Sequence, residues 1–199
     1  MIDIVFDVGG VLIDWNPQHL YQKLIPNPAK RKFFLEQVCS PSWNAKQDLG
    51  RSWIVAENEA KKRHPEWANE ISAYRGRWGE MVSGAVTGGF ELMSDLHAYG
   101  HRVTGLSNWN HETFAEVKRR FPLLNLLEWT TVSGEVKLSK PDPAVYQLHA
   151  TRLGVDARTI VFIDDNTANV EAAKALGWQG VLFTTAPAVR TELQDMGLI

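Results

Sequence analysis

From residue 86 onward the chain alternates short apolar runs with segments of helical pattern, and the runs stop abruptly at polar residues. The spacing predicts a helix over 90–99 ended by Gly100, a strand over 102–106, a helix over 111–120 and a short strand near 129–132. A helix over 143–153, a strand over 160–163, a helix over 167–176 and a strand over 180–183 follow. Strands that alternate with helices pair in parallel through right-handed crossovers. The class is therefore α/β. The first strand lies far upstream: Ile4, Val5 and Phe6 form a β-branched apolar run that ends at Asp7 and is broken by Gly9 and Gly10. In an open α/β sheet that C-terminal lip is where ligands bind.

Between these parts, residues 17–85 carry apolar residues at three- and four-residue spacing and show no strand pattern. Helices are expected over 17–25, 28–39, 52–62 and 65–82, with prolines at 17, 28 and 65 at helix starts. The organisation predicted is a core from residues 1–15 and 86–199, with residues 16–85 as a helical cap set into it. Segment 43–51 interrupts the helical pattern and mixes an aromatic with amides and charges, which suits a substrate-facing surface.

Composition narrows the function classes. A net charge of -2 gives no electrostatic support for nucleic-acid binding. The apolar runs are too short to cross a bilayer, and the start of the chain reads as a strand and not as a signal peptide. The lone Cys39 has no internal partner for a disulfide and fits a reducing, cytoplasmic setting better than a nucleophile's role. His19, His97, His101 and His111 show no metal-ligand spacing.

Four strand or loop ends carry complementary polar groups: Asp7, then Ser107 and Asn108, then Lys140 before a helix, then Asp164 and Asp165. Singly, each has an ordinary reading as a helix cap, a turn or a solvated loop residue. Together, on one edge of a parallel sheet, they suit a phosphorylated ligand. Clustered carboxylates repel unless a cation sits among them, and hard oxygen ligands suit Mg²⁺. Ser107 and Lys140 would hold phosphoryl oxygens, and Asp7 would attack phosphorus to form an aspartyl-phosphate.

The order Phe-Asp-x-Gly-Gly-Val-Leu, Leu-Ser-Asn, Lys-Pro-Asp-Pro-x-x-Tyr and Phe-Ile-Asp-Asp-Asn spans residues 6–166. It resembles the haloacid dehalogenase superfamily of hydrolases, and most of all its bacterial sugar-phosphatase branch. The resemblance implies a Rossmann-like parallel sheet core with a small α-helical cap inserted after the first strand. It makes Asp7 the nucleophile and the Gly9 carbonyl a metal ligand, and it puts Gly10, Ser107, Asn108 and Lys140 at the phosphate. Asp164 and Asp165 become the metal-binding acids, with Asp165 the closer ligand. Trp109, Trp43 and Trp15 are candidate pocket walls. The implied cofactor is Mg²⁺ and the implied partner a small phosphorylated metabolite, such as a sugar phosphate, acted on by a monomer or homodimer.

One position departs from the pattern of most phosphatases of this superfamily. They carry a second aspartate two residues after the nucleophile, as general acid and base; here that residue is Gly9. Either the leaving group needs little protonation, or another carboxylate serves, with Asp14 the nearest in sequence. Two competing readings remain: a 2-haloacid dehalogenase using the same aspartate without metal, and a catalytically weak protein that keeps the phosphate pocket.

Overall fold

The computed structural model describes residues 2–199 of the chain. Its strands are β1 (Asp3–Phe6), β2 (Ile13–Trp15), β3 (Val82–Ala85), β4 (Arg102–Ser107), β5 (Thr130–Val132), β6 (Ile160–Asp164) and β7 (Gln179–Leu182). Five of them form one sheet in the order β5-β4-β1-β6-β7, and all its pairings are parallel. β1 lies at the centre, with Val5 opposite Thr104 on one side and Phe162 on the other.

Alternation along each strand feeds two apolar layers, because successive side chains point to opposite faces. Ile4 and Phe6 of β1, with Val161 and Ile163 of β6, enter one cluster. Val5, Ile160 and Phe162 enter the other, beside Tyr146 and Trp178. Helices α6 (Gly89–Ala98), α7 (His111–Arg120) and α11 (Ala186–Asp195) supply the first layer. Helices α9 (Pro143–Leu153) and α10 (Thr167–Ala175) supply the second. The result is the α/β architecture predicted, a Rossmann-like sheet between helical layers.

Between β2 and β3 the chain forms α1 (Gln18–Leu24), α2 (Pro28–Phe33), α3 (Pro41–Asp48), α4 (Trp53–Arg63) and α5 (Ala68–Gly76). These helices are the predicted cap, but four details differ from the sequence expectation. Residues 82–85 are a strand, not helix: β3 pairs antiparallel with β2 and closes the base of the insertion. Val-Ser-Gly-Ala is too short and too small-residued for alternation to register. The helix expected over 65–82 is split into a 3₁₀ turn (Pro65–Trp67), α5 and another 3₁₀ turn (Trp78–Met81) before β3. The helix expected over 28–39 widens into a π turn over Phe34–Val38, and Cys39 N–H donates to the Phe34 carbonyl at 2.9 Å.

Segment 43–51 is the fourth difference. It does not interrupt the helical pattern, because most of it is α3. Ser40 caps that helix, its Oγ accepting from Trp43 N–H at 3.2 Å, and Pro41 takes the first turn, which needs no donor. The inward residues of α3 are Trp43, Asn44 and Gln47, so polar groups occupy positions where periodicity looks for apolar ones. Two further helices, α8 (Ser133–Val136) and α11, lie outside the sequence expectation. Among the described residues no helix is long and apolar enough to cross a membrane.

Candidate active site

Asp7 follows β1 directly, and its N–H donates to the Ile163 carbonyl at 2.8 Å, extending the ladder by one residue. Its carboxylate is thereby held at the sheet edge. Oδ1 accepts from the Val8 N–H at 2.6 Å and from Ser107 Oγ at 3.0 Å, and lies 2.9 Å from Lys140 Nζ. Asp7 is 8% exposed. Burial pushes its carboxyl up to about 7; Lys140 opposes the rise, while the charges of Asp164 and Asp165 add to it.

Lys140 is buried and bridges two carboxylates, with Nζ also 2.6 Å from Asp164 Oδ2. Burial alone would lower its pKa, but Asp7 and Asp164 outweigh that and hold the ammonium above its usual range. Asn108 fixes the loop that carries Lys140: its Nδ2 donates to the Lys140 carbonyl and its Oδ1 accepts the Lys140 N–H, both at 2.8 Å. Asn108 thus braces the lysine loop as well as lining the cleft.

Asp164 is 0% exposed. Its oxygens accept from Lys140, from the Asn166 N–H at 2.8 Å and from Asn169 Nδ2 at 3.1 Å. Asp165, one residue further, opens into the cleft, and burial and the Asp164 charge raise its pKa. One carboxylate oxygen from each of Asp7, Asp164 and Asp165 lies within 4.8 Å of the others. With a single buried ammonium among three carboxylates, the cluster has charge for a divalent cation to neutralise. Gly10 leaves space for it: at φ 77°, a Cβ there would sit 2.2 Å from Asp165 Oδ2.

Asp7, Ser107, Lys140 and Asp165 line a cleft of about 350 Å³ between sheet edge and cap, with Asp164 buried behind them. Gly9, Gly10, Asn108, Trp109 and Trp15 line it as expected. Trp43 does not. Its ring packs against Trp53 and Tyr74 inside the cap, at centroid distances of 6.1 and 5.0 Å. Asn44, Asp48 and Trp78 face the cleft instead, with Asn166 and Asn169 from the core. The spacing of Asn44 and Asp48, one helical turn apart, was the available signal for them. Asp14 lies outside the cleft lining, on β2, where it accepts from Ser83 Oγ and contacts His19 Nε2 at 3.1 Å.

Residues 4–177 match the family model of haloacid dehalogenase-like hydrolases. Among relatives, flavin mononucleotide hydrolase 1 of Arabidopsis thaliana is 33% identical over 108 residues, covering 54% of this chain and 44% of that protein. (S)-2-haloacid dehalogenase 1 of a Pseudomonas species is 30% identical over 128 residues, 64% of this chain and 51% of that one. The chain thus spans about half the length of these two relatives. A sesquiterpene phosphatase of Aspergillus oryzae is 24% identical over 96% of this chain and 94% of its own. An enzyme of the same family from Bacteroides thetaiotaomicron, solved with magnesium and inorganic phosphate, superposes with a TM-score of 0.70 at 21% identity, covering 93% of this chain and 95% of that one. Sheet order, strand-end residues and family match agree: this chain belongs to the haloacid dehalogenase-like hydrolases.

Proposed function

We propose that the protein is a Mg²⁺-dependent phosphomonoesterase acting on a small phosphorylated metabolite through an aspartyl-phosphate on Asp7. The observation that carries this reading is the carboxylate triad of Asp7, Asp164 and Asp165 around one lysine. A phosphate dianion would be repelled by that triad unless a cation joined it. Asp7, Asp165 and the Gly9 carbonyl would hold the ion, with Asp164 beside them. When bound, it would neutralise phosphoryl charge and let an anionic nucleophile approach.

The chain's own residues do the rest. An Asp7 oxygen attacks phosphorus; Ser107 Oγ and Lys140 Nζ, both already beside Asp7, turn to the phosphoryl oxygens as charge builds there. Removing one such donor costs roughly 10²- to 10³-fold in kcat. The relatives named as phosphatase and hydrolase, and the magnesium and phosphate in the Bacteroides enzyme, point the same way.

A 2-haloacid dehalogenase is the second reading, favoured by Gly9, which supplies no acid–base carboxylate, and by the similarity to a haloacid dehalogenase. The test is phosphate release from p-nitrophenyl phosphate and from glucose 1-phosphate, with Mg²⁺ and with excess chelator, beside Asp7→Asn. Turnover that requires both the ion and Asp7 is the expected result. Halide release from 2-chloropropionate in chelator, without phosphate release, would overturn it in favour of the dehalogenase.

A further inference from the structure

We propose that Asp48, on cap helix α3, is the general acid and base that position 9 does not supply. The inference rests on the phosphomonoesterase reading and adds the residue that would protonate the leaving oxygen.

Asp48, on the cap, lines the same cleft as Asp7, Lys140 and Asp165 of the core. Its Oδ2 accepts from Asn44 Nδ2 at 2.8 Å, a contact one helical turn long that aims the carboxyl. Among the described residues no lysine, arginine or histidine pairs with it, unlike the carboxylates of Asp7 and Asp164. It is also the last residue of α3, where the negative end of the helix dipole disfavours a carboxylate. Burial pushes the carboxyl up to about 7, with the Asn110 backbone N–H pulling the other way. A carboxyl so placed carries a proton near neutral pH, as a general acid requires.

Its position relative to the core is held. Ser133 Oγ donates to the Asp48 carbonyl at 2.6 Å and accepts the Trp109 N–H at 2.9 Å. Asn110 Nδ2 donates to the Gln47 carbonyl at 2.8 Å. The C-terminal end of α3 is therefore fastened to the loop after β4, which carries Asn108, and to the start of α8. Asp14, in contrast, spends its carboxylate on Ser83 and His19.

The steps balance. As an Asp7 oxygen bonds to phosphorus, the bond from phosphorus to the leaving oxygen breaks and the Asp48 proton passes to that oxygen, releasing an alcohol. The Asp48 carboxylate then takes a proton from the water that attacks the aspartyl-phosphate, restoring its acid form, the free Asp7 carboxylate and inorganic phosphate.

The test compares Asp48→Asn with wild type on glucose 6-phosphate, whose alkoxide needs a proton, and p-nitrophenyl phosphate, whose phenolate does not. General acid catalysis is worth about 10²- to 10⁴-fold. The expected result is a loss of that size in kcat/KM for glucose 6-phosphate, with kcat/KM for p-nitrophenyl phosphate kept. For the latter, kcat alone should fall, with a burst of p-nitrophenol, because hydrolysis of the intermediate has lost its base. Equal losses in kcat/KM for both substrates, or no change in either, would overturn the proposal while leaving the phosphatase reading standing. No phosphate release by wild type from either substrate would overturn both. A measurement on wild type alone covers a variant that does not fold. The high-pH fall in kcat/KM should be steeper for glucose 6-phosphate than for p-nitrophenyl phosphate. Tyr74 in the cap, and Asp7, Lys140 and Asp165 in the same cleft, are the titratable groups around Asp48 and act alike on both substrates, so identical profiles would also overturn it.

Discussion

At the scale of single residues, the site depends on Gly10 as much as on any charged group. Its φ of 77° suits glycine, and an alanine there would strain the backbone by about 1 kcal/mol and drive its Cβ onto Asp165. The carboxylate can yield only by leaving the triad. Gly10→Ala should therefore lower phosphate release by at least ~10²-fold and shrink the rise in melting temperature on adding Mg²⁺. A variant that keeps both would show that Asp165 does not need its present place. Gly9 has a different constraint: a side chain there would meet Trp109 Cζ3 at 3.3 Å, so the indole occupies ground close to where a second carboxylate would stand.

At the scale of elements, His149 of α9 ties two strands together inside the core. Its ring nitrogens hydrogen-bond Thr104 of β4 at 3.0 Å and Thr131 of β5 at 2.9 Å, and the two hydroxyls, each able to donate or accept, satisfy the neutral imidazole. Burial, aided by Arg152, Arg102 and Lys140, lowers its pKa to about 3. The unfolded chain takes up this proton near pH 6.5, so the stabilisation is complete above that value and drains away as pH falls towards 3. From about pH 7.5 to about pH 5 the loss is ~2 kcal/mol. Urea midpoints should record it, and His149→Gln, less stable at neutral pH, should lose less over the same interval. Elements of this sheet were legible in the sequence where strands are buried on both sides, as at 160–163, because the apolar run is continuous. The strand-end residues Asp7, Ser107 and Asp165 were legible for the same reason, since a strand's end dates its polar neighbour to one edge. α3 was obscured because amides take its buried positions, and β3 because four small residues leave no pattern. Asp48 had no fixed spacing from Asp7 to betray it; only the folding of cap onto core brings the two to one cleft.

At the scale of the whole molecule, cap and core share one apolar cluster. Tyr21, Phe34, Trp53 and Tyr74 of the cap belong to the same continuous packing as Ile4, Phe6 and Val103 of the sheet. A cap so joined has no separate interior to keep when the sheet melts. Equilibrium unfolding followed by tryptophan fluorescence, which draws on several cap residues among the eight indoles, should coincide with far-ultraviolet circular dichroism, as for a two-state transition. An earlier fluorescence transition would show the cap loosening by itself. The fastening of α3 to the loop after β4 and to the start of α8 also bears on how visitors would reach Asp7. So fastened, the chamber would be less a jaw waiting to shut than a small room with its ceiling already in place. On the phosphatase reading, passage through the doorway would be governed by girth, and a bulky phosphoester would be turned away on the threshold before its chemistry is ever read.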